Sequence, residues 1–429
     1  MRFVSSCAAV VLCVWPFPVD AETRALTLGN AVDLALRQNP EITIARLEEQ
    51  RIQQNVLIAK DPFTTKIVVG SGLAYSTGYP LSIDGGAPSI LQARAIQALY
   101  NKPRSYDISI ARENARAATI DVAARRDDIA HRTAVLYLQA DRAAKALEMA
   151  QQQIASFSKV AEAVSARVQE GRELPLEGSR AKLRVTQAKQ RVESLGADLE
   201  EAETALSVVL GMGPDNRVKP VPEERPTPEL PASEAAAVED ALANSSEIKR
   251  LQSAVQAKTL EARGARSNKL PVFDLVAQYG LFARYNYADY FQRFQRNNGQ
   301  LGMSLQIPIF AGSGSEARAV QAEIEVNRMR VEIGSLHDRV ATDTRKLYHA
   351  IRRAETGREV AKQDLELTRE QLSVALAQME EGRASLRQIE ELRALETDKW
   401  LAFYDAQHLM ERARLDLLRQ TGNIIAALH

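Results

Sequence analysis

Gly312-Ser313-Gly314-Ser315-Glu316-Ala317 has the small-residue spacing of a turn that cradles a dinucleotide pyrophosphate. Such a turn must follow a strand, open a helix and lead to a parallel return strand. Alternating residues do precede it, but the helical pattern beyond runs far past the point where a return strand would begin. The glycines fit a different task, letting the chain swing from a tilted strand into a helix. The five histidines, His131, His337, His349, His408 and His429, have no acidic partners at metal-ligand spacing. The two cysteines, Cys7 and Cys13, both lie in an apolar N-terminal stretch. No nucleophile, base and orienting group fall into a catalytic pattern. The residues therefore predict no enzyme activity, no metal and no cofactor.

The elements around these residues carry more information. The chain has 429 residues, 26% of them charged and 5% aromatic, with equal numbers of acids and bases. That composition favours long helices over a large globular core, and the zero net charge gives no nucleic-acid surface. Met1–Ala21 reads as a secretory signal peptide ending at Val19-Asp20-Ala21. Val4-Ser5-Ser6-Cys7 resembles a lipidation site, but the apolar segment before it is too short, so no lipid anchor is expected. The mature chain would then hold no cysteine, in keeping with a place outside the bacterial inner membrane.

Leu301–Ile309 alternates strictly, then gives way to a long proline-free run reaching Glu381. A helix of that length spans about 100 Å at 1.5 Å per residue. Similar alternation occurs at Lys66–Tyr75, Ile90–Leu99 and Phe273–Tyr285. Polar Asp274, Arg284, Ser304 and Gln306 share the face opposite the apolar residues. The loop after the third strand carries Tyr287, Tyr290, Phe291 and Phe294, suited to a membrane-interface girdle.

The chain also repeats. Ala31-Val32, Ala35-Leu36 and Glu41-Ile42 recur 206 residues later as Ala237-Val238, Ala241-Leu242 and Glu247-Ile248. Leu136-Tyr137, Glu170-Gly171-Arg172 and Gly211 recur 211 residues later as Leu347-Tyr348, Glu381-Gly382-Arg383 and Gly422. This predicts a first repeat over 22–210, with strands near 66–75 and 90–99 and a hairpin tip near 171. The second covers 234–429, with strands near 272–285 and 300–310 and a tip near 382. The proline-rich 211–233 reads as a linker without regular helix or strand. Ala150, Ile154, Phe157, Ala161, Val164 and Val168, and their counterparts Ala361 to Met379, step by fours and threes, as in a coiled-coil seam.

Four membrane-length strands cannot close a barrel, and open edges are not tolerated in hydrocarbon. Several chains must therefore pool their strands; three, each contributing four, would give a 12-stranded barrel, so the expected fold is mostly α with a membrane β-barrel. Its long helices would continue the tube as a coiled-coil barrel in the periplasm. Lipid would face the apolar side and a watery lumen the polar side.

Leu26-Thr27-Leu28, Ala31-Val32, Leu34-Ala35-Leu36, Asn39-Pro40-Glu41-Ile42, the junction Ile307-Pro308-Ile309-Phe310-Ala311-Gly312 and the duplicated glycine breaks together resemble the TolC-type outer-membrane efflux proteins. The resemblance spans nearly the whole mature chain. It implies a homotrimeric channel-tunnel in the bacterial outer membrane with a long periplasmic extension. The duct would meet a periplasmic adaptor protein and an inner-membrane pump of RND or ABC type, for efflux or type I secretion. It also implies a periplasmic gate lined by acids just past the tip glycine. The matching positions are Glu177 in the first repeat and Gln388 and Glu391 in the second, with Glu390 beside them. Gln388 departs from the family's acid. The tips Gly171, Arg172, Gly382 and Arg383 fall where an adaptor docks. The strand-to-helix junction comprises Pro308, Phe310, Gly312 and Gly314; the first repeat has Ala98-Leu99-Tyr100-Asn101 there. The alternatives are a periplasmic coiled-coil adaptor, which would carry one hairpin rather than two, and a poreless coiled-coil protein, which would need neither strands nor a signal peptide.

Overall fold

The computed structural model describes residues 23–72, 89–221, 230–282, 295–309, 312–381 and 383–428. The signal peptide, residues 73–75 of the first expected strand, Arg284, the loop aromatics from Tyr287 to Phe294, Phe310 and Gly382 lie outside these residues. The described chain forms two compact units, each drawing on both repeats.

One unit contains the described parts of Gln38–His131, Thr227–Thr356 and Met410–His429. Its sheet joins β2 (Lys66–Gly70), β3 (Ser89–Tyr100), β5 (Val272–Phe282) and β6 (Asn297–Gln306), antiparallel and in the order β2-β3-β5-β6. The register builds two contrasting faces. Ile67, Ala95, Ala277 and Leu301 line up across one face; Val68, Arg94, Gln278 and Gln300 line up across the other. Asp274 lies opposite Ser304, and Val272 opposite Gln306, so the polar residues at this end share a face. On the apolar face Ile67, Leu301 and Met303 are 70%, 78% and 72% exposed in the single chain.

Several strand ends differ from the sequence pattern; β2 stops at Gly70, so Ser71 and Gly72 of the expected strand lie outside it. β6 stops at Gln306, although the alternation continues to Ile309, because Pro308 has no N–H for the ladder. In β3 a bulge intervenes between Ala98 and Tyr100, so Tyr100 rather than Leu99 pairs with Phe273. Their rings meet edge to face, with centroids 6.0 Å apart.

Helix α2 (Pro40–Lys60) begins at Asn39, whose side chain accepts from the Glu41 N–H at 2.8 Å. Its counterpart α6 (Ser246–Arg266) begins at Ser245, 206 residues on, whose hydroxyl accepts from the Ile248 N–H. Ile42 and Ile248 are both buried. Between them α5 (Glu234–Asn244) packs Ala237 against Ile351 and Leu417.

The other unit contains the described parts of Met1–Arg37, Arg132–Pro226 and Gly357–Leu409. Here the linker departs from the sequence expectation. Arg217–Pro220 is a strand, β4, paired in parallel with β1, Thr23–Leu26. Pro220 is tolerated because it ends an edge strand. Fully buried Tyr137 donates its hydroxyl to Leu26 O at 3.1 Å and to Val221 O at 3.3 Å, pinning both strands. Helix α1 (Leu28–Gln38) follows β1 and buries Ala31, Val32, Ala35 and Leu36. The long helices are α3 (Lys102–Gln169), α4 (Pro175–Val209), α7 (Gly314–Glu380) and α8 (Leu386–Gln420), of which α3, α7 and α8 run through both units. In this unit Ala150, Phe157, Leu365, Thr368, Leu372 and Ala375 of the four-three stripe are buried. Leu372, Ala375 and Ile389 form one apolar cluster between α7 and α8.

Candidate functional site at the hairpin tips

Each long helix must reverse, and the first does so at a glycine. Gly171 has φ +69°, the left-handed conformation that closes a helix C-terminus. The Gly171 N–H donates to Val168 O at 3.1 Å and the Arg172 N–H to Arg167 O at 2.8 Å. The second tip repeats the Arg172 bond 211 residues on, from the Arg383 N–H to Gln378 O at 2.7 Å. Beside each turn an arginine holds a preceding glutamate: Arg172 with Glu170 and Arg383 with Glu381, both at 3.2 Å. Both arginines are 77% exposed. The tips thus present the same guanidinium twice.

The return helices start differently. Pro175 opens α4, while the Ser385 hydroxyl accepts from the Gln388 N–H at 3.3 Å at the start of α8. Gln388 is exposed, and its contribution is this capped backbone.

The three glutamates singled out in the sequence come together in one ionic cluster. Glu177 sits between Arg180 at 2.8 Å and Arg387 at 3.0 Å. Arg184 binds Glu390 at 3.0 Å and lies 3.9 Å from Glu391. Glu390 is buried, and burial pushes its carboxyl pKa up while Arg184 pulls it down. Glu391 is the exposed glutamate of the cluster.

Sequence reasoning named the acids and missed their partners. A signal for them exists. Glu391, Asp398 and Asp405 step by sevens along α8; Arg184 and Arg191 do so along α4. In the structure Arg184 approaches Glu391, Arg191 binds Asp398 at 2.8 Å, and Arg142 of α3 binds Asp405. Opposite charges at heptad spacing thus zip the helices together above the tips.

At the strand-to-helix junction, Gly312 has φ +67° and Gly314 is the first residue of α7. Pro308 borders an open groove of about 940 Å³ that is also lined by Asn101, Arg104, Asn268 and Leu270. The first repeat makes its junction with a cap: Asn101 Oδ1 accepts from the Arg104 N–H at 3.2 Å. That cap does the work of the missing glycine. The dinucleotide-like turn leads into a 67-residue helix, and the sheet beside it is antiparallel. His131 pairs with Asp416 at 2.6 Å and His349 with Glu234 at 3.5 Å.

Residues 31–212 and 237–423 both match the outer membrane efflux protein family. The matched stretches start 206 and end 211 residues apart, the offsets of the internal repeat. The outer membrane efflux protein BepC of Brucella suis is 22% identical, over 98% of this chain and 90% of its own. The Campylobacter jejuni CmeC outer membrane channel superposes with a TM-score of 0.75 at 14% identity, covering 99% of this chain and 94% of that one. The open state of the Neisseria gonorrhoeae MtrE outer membrane channel gives 0.74 at 17% identity, covering 93% and 89%. With the duplicated hairpins, the two-faced sheet and these matches in hand, the chain belongs to the outer membrane efflux protein family and serves as an efflux exit duct.

Proposed function

We propose that three copies of this chain assemble into the duct, each giving four strands to a 12-stranded barrel and four long helices to its periplasmic part. The observation that carries this reading is the sheet. Its face of Ile67, Leu301 and Met303 is exposed in the single chain, and β2 and β6 form its two outer edges among the described residues. Pairing β6 of one copy with β2 of the next removes both edges and turns the apolar face to lipid. The polar face, with Arg94, Asp274, Gln278 and Ser304, then lines the passage. The signal peptide serves export, and the two repeats are the family's two modules joined by the 211–233 segment.

The hairpin tips are the gate and the docking end. Glu391, exposed beside Arg184, supplies a ring of three carboxylates that draws cations; Glu177 and Glu390 hold the helices through arginines. The doubled pairs at Arg172 and Arg383 face a periplasmic adaptor, which in turn meets an inner-membrane pump of RND or ABC type. The duct passes its cargo without chemistry of its own.

Single-channel recording in a planar bilayer tests this. A purified trimer should conduct with a preference for cations, and Glu391→Ala should weaken that preference. A verified trimer without conductance refutes the duct, and an unchanged preference in the variant removes Glu391 from the passage.

A further inference from the structure

The four strands β2, β3, β5 and β6 carry three charged side chains, Lys66, Arg94 and Asp274, and the register puts all three on the polar face. Lys66 is tied to Asp61 at 2.5 Å. Arg94 makes no ion pair among the described residues. It is exposed, the sixth of the twelve residues of β3, in a row with Val68, Gln278 and Gln300. Asp274 lies four residues from Gln278 along β5, about 13 Å at the rise of a strand. A neighbouring copy supplies no counter-charge either. β6 holds no charged residue and β2 only Lys66, so pairing β6 of one copy with β2 of the next sets no acid beside Arg94.

An unpaired guanidinium halfway along a membrane strand is too costly to leave in hydrocarbon, so it faces water. The width of that water is set by the strand count. Twelve strands about 4.8 Å apart and tilted by about 40° give a circumference of about 75 Å and a backbone diameter of about 24 Å. Three arginines reaching inward bring every path through such a barrel within about 10 Å of a positive charge, the Debye length at 0.1 M salt. The wall around Arg94 also suits an anion. Gln92, Gln278 and Gln300 offer amide donors on the same face. Gly70 and Gly302 leave open space there, since a Cβ at either would meet nothing within 4 Å.

We infer that Arg94 is a specificity-determining residue of the barrel: three copies form a ring of guanidiniums that favours cargo bearing a carboxylate, sulfonate or phosphate group. The ring is opposite in sign to the one proposed for Glu391 at the tips. Cargo meets the two in series, and the charge preference of the whole duct is the sum of two opposed contributions. This inference rests on the trimeric duct proposed above, with the polar face of its sheet lining the passage.

The experiment uses the assembled full-chain protein in a planar bilayer under a gradient of potassium chloride. Arg94→Gln should raise the ratio of potassium to chloride permeability by about two- to fivefold at about 0.1 M salt, and the effect should fade at about 1 M, where the Debye length is about 3 Å. Arg94→Lys keeps the charge and should keep the wild-type ratio. A second measurement locates the side chain. Arg94→Cys is treated with the anionic, membrane-impermeant reagent 2-sulfonatoethyl methanethiosulfonate; Cys7 and Cys13 leave with the signal peptide, so no other thiol competes. Labelling should lower the conductance and increase the preference for cations, while Met303→Cys on the apolar face should show no change. A conducting trimer whose ratio is the same with Arg94→Gln, or shifts equally with Arg94→Lys, overturns the ring and leaves the duct standing. So does a conducting Arg94→Cys trimer that the reagent leaves unaltered, or one matched by Met303→Cys. A verified wild-type trimer without conductance overturns both.

Discussion

Arg184→Ala should loosen the hairpin tips in a way that depends on pH. Arg184 is about one-third exposed and binds buried Glu390 at 3.0 Å. Its removal leaves a carboxylate in place without its guanidinium. A hydrogen bond to a charged group is worth about 1.5–3 kcal/mol; solvent access to Arg184 brings the expectation to about 1–2 kcal/mol, a 5- to 30-fold increase in local opening. Hydrogen exchange of peptides covering 177–191 and 386–398, corrected for intrinsic rates, reads this opening directly. The pH dependence follows from the sign of the shift. Burial raises the Glu390 pKa above its ordinary 4.5, so its ionised form is disfavoured by folding. Its contribution to stability is present below that ordinary value and lost as pH rises through the folded pKa. Without Arg184 the folded pKa climbs further. The variant's defect should therefore be largest at neutral pH and fade as acid protonates Glu390. Glu390→Gln should cost less than Arg184→Ala, and the double variant should recover most of the loss. A defect independent of pH, or a Glu390→Gln variant as loose as Arg184→Ala, refutes the reasoning.

Other positions yield simpler outcomes. Tyr137→Phe removes the hydroxyl that bonds Leu26 O and Val221 O and should cost about 1 kcal/mol, seen as a lower urea midpoint at unchanged slope. Gly171→Ala meets no atom within 4 Å but forces a side chain to φ +69°, costing about 1–2 kcal/mol, confined to exchange at the tip. Gly422→Ala should be worse, about 2–4 kcal/mol in global stability, because its Cβ would also lie 2.8 Å from Asn244 Cβ. If the two glycine variants behave alike, the clash at Asn244 is not felt.

How much was legible beforehand depended on whether a signal was local. The α7 helix announces itself through its long proline-free run and the four-three stripe from Ala361 to Met379, and the strands through alternation that the sheet register reproduces from Ile67 to Leu301. The caps Asn39 and Ser245 act within three residues of their helix starts and so lie in local sequence, although the repeat was read there only through Glu41-Ile42 and Glu247-Ile248. β4 was hidden, since proline density around Arg217–Pro220 argued against a strand, and only its distant partner at Thr23–Leu26 makes it one. The bulge at Leu99 was equally invisible, because it depends on the partner strand's register. At the tips, Glu177, Glu390 and Glu391 could be picked out by position. Their separation into buried and exposed roles could not, because it depends on where Arg184 and Arg387 reach from other turns.

The β1–β4 ribbon also sets an order of events. The chain is delivered N-terminal end first, and β1 has no partner until Pro220 arrives, a gap of about 190 residues. Enclosing so many residues is not prohibitive, because each doubling of a loop adds only about 0.6 kcal/mol to its closure. When the ribbon forms and Val221 N–H reaches Leu26 O, strands β2 and β3 and the whole α3–α4 hairpin lie inside one closed circuit of chain. That circuit closes without any residue from α5 onward. The ribbon thus ties the first half into one circuit of its own, while β3 and the α3–α4 hairpin stay open to β5 and α8 of the second half.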